Sequence, residues 1–311
     1  MRRMLRLVQI IGARIAGTVS VRHAGDPLNR RCPGAQLKGF TSRFVENRDR
    51  LLAEDLLPAV EAHWQRGADE HEFARLLERT EYSRYDERLV EYSWILWKLL
   101  KCTGGTARTW NLLDVGCVLN RPVIAEYVSR MLAMIWLINP AQEPIAYGEH
   151  VAYVLADVRN HKLPANLQFD VITCLSTLEH IGMDTRRYGG PGGEVNRYPD
   201  EPQKNAIEAL QSMYQLLRPG GVMYLSVPYG PFEYVYDYGG TLPIYYIFDE
   251  PRLQDLLDCL PREKAATTVE IYKVVPAWGW ARTGPNDDRI PRYAVGCAAA
   301  GAVALVEVVP S

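Results

Sequence analysis

The chain has 311 residues, enough for one large domain or a domain with an appendage, and its 48% apolar fraction is ample for a core. A net charge of −2 gives no global positive field of the kind that argues for nucleic acid as a partner. Six cysteines, scattered without a C-x-x-C pair, argue against a disulfide framework and a zinc site. They suggest reduced thiols in a cytoplasmic setting.

The charge is uneven along the chain. Met1 to Phe44 holds nine Arg or Lys residues and one acid, Asp26, which leaves the remainder distinctly acidic. The best apolar run, Met4–Val21, is broken by Arg6 and Arg14, too early for a span of ~20 mostly apolar residues. Its uninterrupted part is also short for a signal peptide. Three readings of this leader stay open: a disordered start, an interfacial helix in weak contact with a membrane surface, or an organelle-targeting peptide. Residues 22–43, with Pro27, Pro33 and several glycines, read as an irregular linker. The leader and linker together occupy residues 1–42.

A helical extension is predicted over residues 43–104. Leu51, Leu52, Leu56, Leu57, Val60 and Trp64 recur at helical spacing, as do Phe73, Leu76 and Leu77. The segment Asp86–Lys101 is apolar almost all round, as expected of a helix packed directly on a sheet. Residues 105–311 then read as an α/β domain. Asn111–Asn120, NLLDVGCVLN, has the pattern of a buried strand ending in a sharp turn, where Gly116 permits close approach of a ligand. A helix is predicted from Pro122 to about Leu132, and strands at Ala133–Ile138, Val151–Ala156 and Phe169–Leu175. Met183–Asn205 reads as a long turn-rich loop carrying Arg186, Arg187 and Tyr188. A helix at Ala206–Leu217 and a strand at Val222–Val227 flank the RPGG turn. The aromatic stretch Pro228–Phe248 reads either as a packed hairpin or as a pocket lining. A helix at Pro251–Cys259, a strand at Thr267–Val275, a loop at Pro276–Pro291 with packing roles for Trp278 and Trp280, and a strand at Gly301–Val309 complete the chain. The alternation predicts a doubly wound, mostly parallel sheet with helices on both faces.

From about Tyr85 onward, the motifs NLLDVGC (111–117), LADV (155–158), FDVITCLSTLEHIG (169–182) and LLRPGGVMYLSVPYG (216–230) resemble those of class I S-adenosylmethionine-dependent methyltransferases. The resemblance implies a Rossmann-like fold, S-adenosylmethionine as cofactor, and methyl transfer to a small-molecule or sugar/glycan acceptor. RLVEYSWIL before the first strand, and STLEHIG leading toward a YGG, resemble a subgroup often associated with sugar or cell-surface polysaccharide metabolism, an association that fixes no substrate, and O-methylation is the expected chemistry. The implied cofactor-binding residues are Asp114, Gly116 and Cys117 at the first turn, Asn139 at the ribose, Asp157 and Val158 at the adenine, and Ser176 near the methyl. Glu179 and His180 are the implied catalytic pair, with His180 suited to take a proton near neutral pH. No metal is implied.

Two departures from the family pattern matter. Cys117–Asn120 stands where further glycines are usual, and Asn139 stands where a carboxylate usually grips the ribose. An amide loses charge assistance there, about 1 kcal/mol for a neutral bond against roughly 1.5–3 for a charged one. Glu143 or Glu149 can take over if the strand ends differently. A catalytically inactive, methyltransferase-like binding or scaffold protein is the alternative these departures raise.

Overall fold

The computed structural model describes residues 19–21, 42–105, 109–161, 163–183, 202–237, 243–261, 263–285, 287, 290 and 301–310. Most of the basic leader and most of the loop 183–205, with Arg186, Arg187 and Tyr188, lie outside them. Within the leader, Val19–Val21 forms a strand, β1.

The extension begins with a continuous helical run. α1 (Ser42–Leu51) passes through a π-helical turn, Leu52–Leu56, into α2 (Leu57–Gln65). α3 (Glu70–Leu76) opens on a capping box: Asp69 accepts from the backbone of His71 and Glu72, and Glu72 accepts from the Asp69 backbone. α4 (Arg88–Thr103) ends at Gly104, whose left-handed φ of 63° closes the helix. Trp94 and Trp97 on this helix are fully buried. Each such side chain contributes roughly 1.5–3 kcal/mol, so the apolar surface predicted for this helix does pack against the sheet.

The sheet has eight strands: β2 (Asn111–Val115), β3 (Met134–Asn139), β4 (Val151–Leu155), β5 (Phe169–Leu175), β6 (Leu217–Tyr229), β9 (Ala265–Val275), β10 (Gly279–Thr283) and β11 (Ala302–Pro310). Their spatial order is β10-β9-β11-β6-β5-β2-β3-β4. The five strands from β6 to β4 run parallel, and β11, β9 and β10 join antiparallel. Helices α5 (Pro122–Met131), α6 (Pro202–Leu216) and α7 (Glu250–Asp258) complete the layers. Neighbouring strand residues alternate faces. Leu112, Ile135 and Leu305 pack under the extension and α5, while Leu113, Ile172 and Ala304 pack under α6 and α7.

The structure differs from the sequence expectation in several places. α6 begins at Pro202, inside the segment read as loop, and β6 runs through the RPGG turn at its start. Gly279–Thr283, read as loop, pairs with β9 from Thr283↔Ile271 to Gly279↔Val275. Glycine and Trp278 masked a short edge strand. Trp280 is buried as expected, but Trp278 is 54% exposed and is not a packing residue. The aromatic stretch is a hairpin of β7 (Glu233–Asp237) and β8 (Pro243–Ile247), to which β1 adds a third antiparallel strand.

Candidate functional site

Chain order reverses between β2 and β5: β3 and β4 extend to one side of β2, while β5 and β6 lie on the other. Ligands of doubly wound sheets bind at the carboxyl ends beside such a reversal. Both strands end there in a non-glycine residue with left-handed backbone, Cys117 (φ 57°) after β2 and Ser176 (φ 35°) after β5. Each conformation costs about 1–2 kcal/mol and needs surrounding contacts to hold it.

Those contacts are specific. Asp114 is fully buried and accepts from the Leu119 backbone NH and the Thr173 hydroxyl, both at 2.9 Å. Burial pushes its carboxyl up to about 7 even though both bonds favour the charged form. Gly116 has φ 86°, and a Cβ there would lie 2.2 Å from the Thr177 hydroxyl oxygen. The glycine therefore lets the β2 and β5 turns touch. Val118 and Leu119 turn into the core, where Tyr92 and Tyr147 donate to their carbonyls at 3.1 and 2.9 Å. Burial raises the thiol of Cys117, so it is a packed sulfhydryl.

At the end of β3 the Asn139 amide donates to Glu143 Oε1 at 3.2 Å, and Arg121 lies 3.8 Å from the other oxygen of Glu143. Burial raises the Glu143 carboxyl above its ordinary value. Glu149 is exposed, 3.9 Å from His150. At the end of β4, Asp157 is engaged by Arg159 through the guanidinium at 2.7 Å and the backbone NH at 2.9 Å. Burial would raise its carboxyl, but these bonds outweigh that and lower it. Val158 is buried and opens a short 3-10 turn.

After β5, the Ser176 and Ser226 hydroxyls both donate to Glu91 Oε1 at 2.5 Å, and Arg88 donates to Glu91 Oε2 at 2.6 Å. Glu179 is 2% exposed, and its Oε2 is buried without a hydrogen bond. Its carboxyl lies well above the ordinary range, first because of burial and then because of Glu91 and Glu87. His180 Nδ1 lies 2.7 Å from the Ile244 carbonyl, and Nε2 lies 3.8 Å from Glu179 Oε1. Burial pushes the imidazole down to about 4, so it is neutral at pH 7.

The structure thus brings Asp114, Gly116, Cys117, Ser176, Glu179 and His180 to one edge, with Asn139 on the next strand. Asp157 and Val158 sit two strands away at the end of β4, with the Asp157 carboxylate turned to Arg159. Sequence reasoning did not single out Glu91, Arg88 and Glu87. They lie on the helix before the first sheet strand, and an acid-base-acid run at a helix start reads there as a solvated face. Among the described residues, no group of three His, Cys, Asp or Glu residues could hold a metal.

Residues 113–225 match the family model of a methyltransferase domain. That segment reads as a methyltransferase domain. Solved structures similar to it include the 1,6-didemethyltoxoflavin-N1-methyltransferase of Burkholderia thailandensis with S-adenosylhomocysteine, at 18% identity and TM-score 0.45, covering 94% of this chain and 95% of that one. An amino pentose methyltransferase from Micromonospora echinaspora is 14% identical with TM-score 0.39, covering 80% and 96% respectively. No curated protein matches the sequence. The methyltransferase-domain match starts within β2 and ends within β6, so it spans both sides of the chain reversal. Among the described residues, no helix is long and apolar enough to cross a membrane.

Proposed function

We propose that the methyltransferase domain moves a methyl group onto a hydroxyl of a small-molecule or sugar acceptor at the carboxyl edge of β2 and β5. When bound, S-adenosylmethionine supplies an electrophilic methyl carried on a sulfonium. The donor set fits the adenosyl part of this cofactor: a carboxylate, Glu143, stands beside Asn139 at the end of β3, where a ribose diol needs an acceptor. Asp114 orders the turn that would face the cofactor, and the backbone of Gly116 and Cys117 would line it. Asp157 and Val158 are the adenine-side candidates, with the Val158 backbone NH the better donor because Arg159 occupies the Asp157 carboxylate.

The observation that carries the oxygen reading is the state of His180. A carbonyl only accepts, so the bond to Ile244 fixes the proton on Nδ1 and leaves the lone pair on Nε2. Below its lowered pKa of about 4 the ring would be charged, so at neutral pH it can accept the proton of an attacking hydroxyl. A hydroxyl that has gained a methyl is a far stronger acid than imidazolium, so this weak base suffices. Positioning supplies much of the rest, up to ~7–11 kcal/mol in well-aligned cases.

The reading of an inactive scaffold is not favoured. The missing glycines are replaced by a turn that Asp114 closes from within, and Glu143 stands in for the missing carboxylate. Calorimetric titration of the full chain with S-adenosylhomocysteine tests this. Micromolar binding that is lost in Asp114→Ala is the expected result. A folded protein that binds no cofactor overturns it.

A further inference from the structure

The edge beside His180 carries more acid than the described structure neutralises. Four carboxyls converge there: Asp86 and Glu87 just before α4, Glu91 in its first turn, and Glu179 after β5. Two guanidinium groups face them. Arg48 is taken by Asp86 at 2.7 Å and Asp49 at 2.9 Å. Arg88 is taken by Glu91 at 2.6 Å. Arg252, which faces Tyr246, pairs with Asp249 at 2.7 Å and stacks 3.5 Å over Phe232. His180 is neutral. The remaining titratable neighbours, Cys174, Tyr92, Tyr234 and Tyr246, are a thiol and phenols and add no cation.

Arg88 also faces Glu87 and Glu179, but its ion pair is with Glu91, so among the described residues neither Glu87 nor Glu179 has an ion pair with a guanidinium. Each also has a buried carboxyl oxygen, Oε2, with no hydrogen bond. The hydroxyl of Tyr246 on β8, near enough to Glu179 for that carboxyl to act on it, is fully buried and likewise unbonded. Unpaired buried polar atoms of this kind are rare and call for a partner. Asp86 Oδ1 is buried and unbonded as well, so these atoms come from the start of α4, the turn after β5 and strand β8. The group that would satisfy two carboxyls and a phenol together is a compact cation with several N–H donors.

We infer that the acceptor carries an ammonium group, held between Glu87 and Glu179 with Tyr246 beside it, so that the hydroxyl to be methylated belongs to an amino alcohol or amino sugar. This deepens the proposed function and rests on it. Burial holds Glu87 up to about 8 and Glu179 well above its ordinary range, so the empty site keeps protons that an incoming ammonium displaces. Neutral alcohols have no such exchange to make.

The test uses the full chain saturated with S-adenosylhomocysteine, and matched probes: n-butylamine against n-butanol, and D-glucosamine against N-acetyl-D-glucosamine. Calorimetry at pH 7 in buffers of different ionisation heat reads both affinity and protons released. The expected result is that the amines bind at least about tenfold tighter than their neutral twins, as a charge-assisted contact requires, and that binding releases protons. Glu179→Gln and Glu87→Gln keep the shape and replace a carboxyl that stands protonated in the free protein, so they should fold. Each should abolish both the preference and the proton release while leaving S-adenosylhomocysteine affinity within about twofold. Equal binding of amines and neutral twins overturns the inference. So does a parallel loss of cofactor affinity in the variants, which would assign the carboxyls to the methionine ammonium of the cofactor. Wild-type protein that binds no S-adenosylhomocysteine would instead bring down the methyltransferase reading itself.

Discussion

Helix α4 carries two buried charge clusters, one at each end, and they are built differently. Toward its C-terminus, Lys98 reaches Glu307 at 2.9 Å, Glu270 at 3.4 Å and Glu70 at 3.7 Å, and lies 5.7 Å from the Trp94 ring. Burial would discharge it, but the three carboxylates outweigh that and raise its pKa. This cluster ties the helical extension to β9 and β11 and leaves its cation well paired. Toward the N-terminus, acids exceed bases and three carboxyl oxygens, from Asp86, Glu87 and Glu179, have no hydrogen-bond partner. A paired cluster explains itself as architecture. An unpaired one costs stability and is retained where a ligand completes it.

Breaking the paired cluster should have the largest effect. Lys98→Met leaves Glu307 without a cation and takes one from Glu270 and Glu70, which keep Arg282 and Lys101, and chemical denaturation should show a loss of about 3 kcal/mol. Next comes the ribose side. Glu143→Gln removes the only carboxylate proposed to meet the diol, and S-adenosylhomocysteine should bind about tenfold more weakly, the difference between a charged and a neutral hydrogen bond. Unchanged affinity would remove Glu143 from the site and return attention to Asn139.

The smallest effect concerns pH and the unpaired cluster. Glu87 and Glu179 are raised above their unfolded values, so the folded state binds protons that the unfolded state has released. The Glu87 contribution is complete below the ordinary Glu value of 4.5 and is lost as pH rises through about 8, and Glu179 acts in the same direction. Thermal unfolding of the ligand-free protein should therefore show stability declining between pH 5 and 9, and Glu87→Gln should flatten that slope. His180 works in the opposite sense. Its lowered pKa makes stability fall as pH drops from 6.5 toward about 4. A wild-type profile flat across both ranges would mean that the clusters at the two ends of α4 do not differ as described.

Much of this was legible before any coordinates. Phe169–Leu175 was bounded correctly because its apolar pattern, interrupted only by Asp170 and Thr173, lies between turn signals. The NLLDVGC turn and the STLEHIG segment were placed at strand ends, and the structure brings them into contact through Gly116 and Thr177. Strand order was not legible, since periodicity says which face a residue takes and nothing about which strand lies beside it. Glu87 and Glu91 were missed for a related reason. A carboxylate on a helix reads as solvated unless the neighbour that buries it is known, and that neighbour, Ser176, lies 85 residues away from Glu91.

The Glu91 carboxylate has a mechanical consequence. One of its oxygens grips hydroxyls from the ends of β5 and β6, and the other anchors the guanidinium at the start of α4. It works as a rivet through three pieces, so the helix before the sheet cannot be peeled off like a lid. Trimming the chain back to the segment that resembles other methyltransferases would bare two serine hydroxyls and let the Ser176 bend relax, and the loss would be felt first at the reacting edge rather than in the distant core.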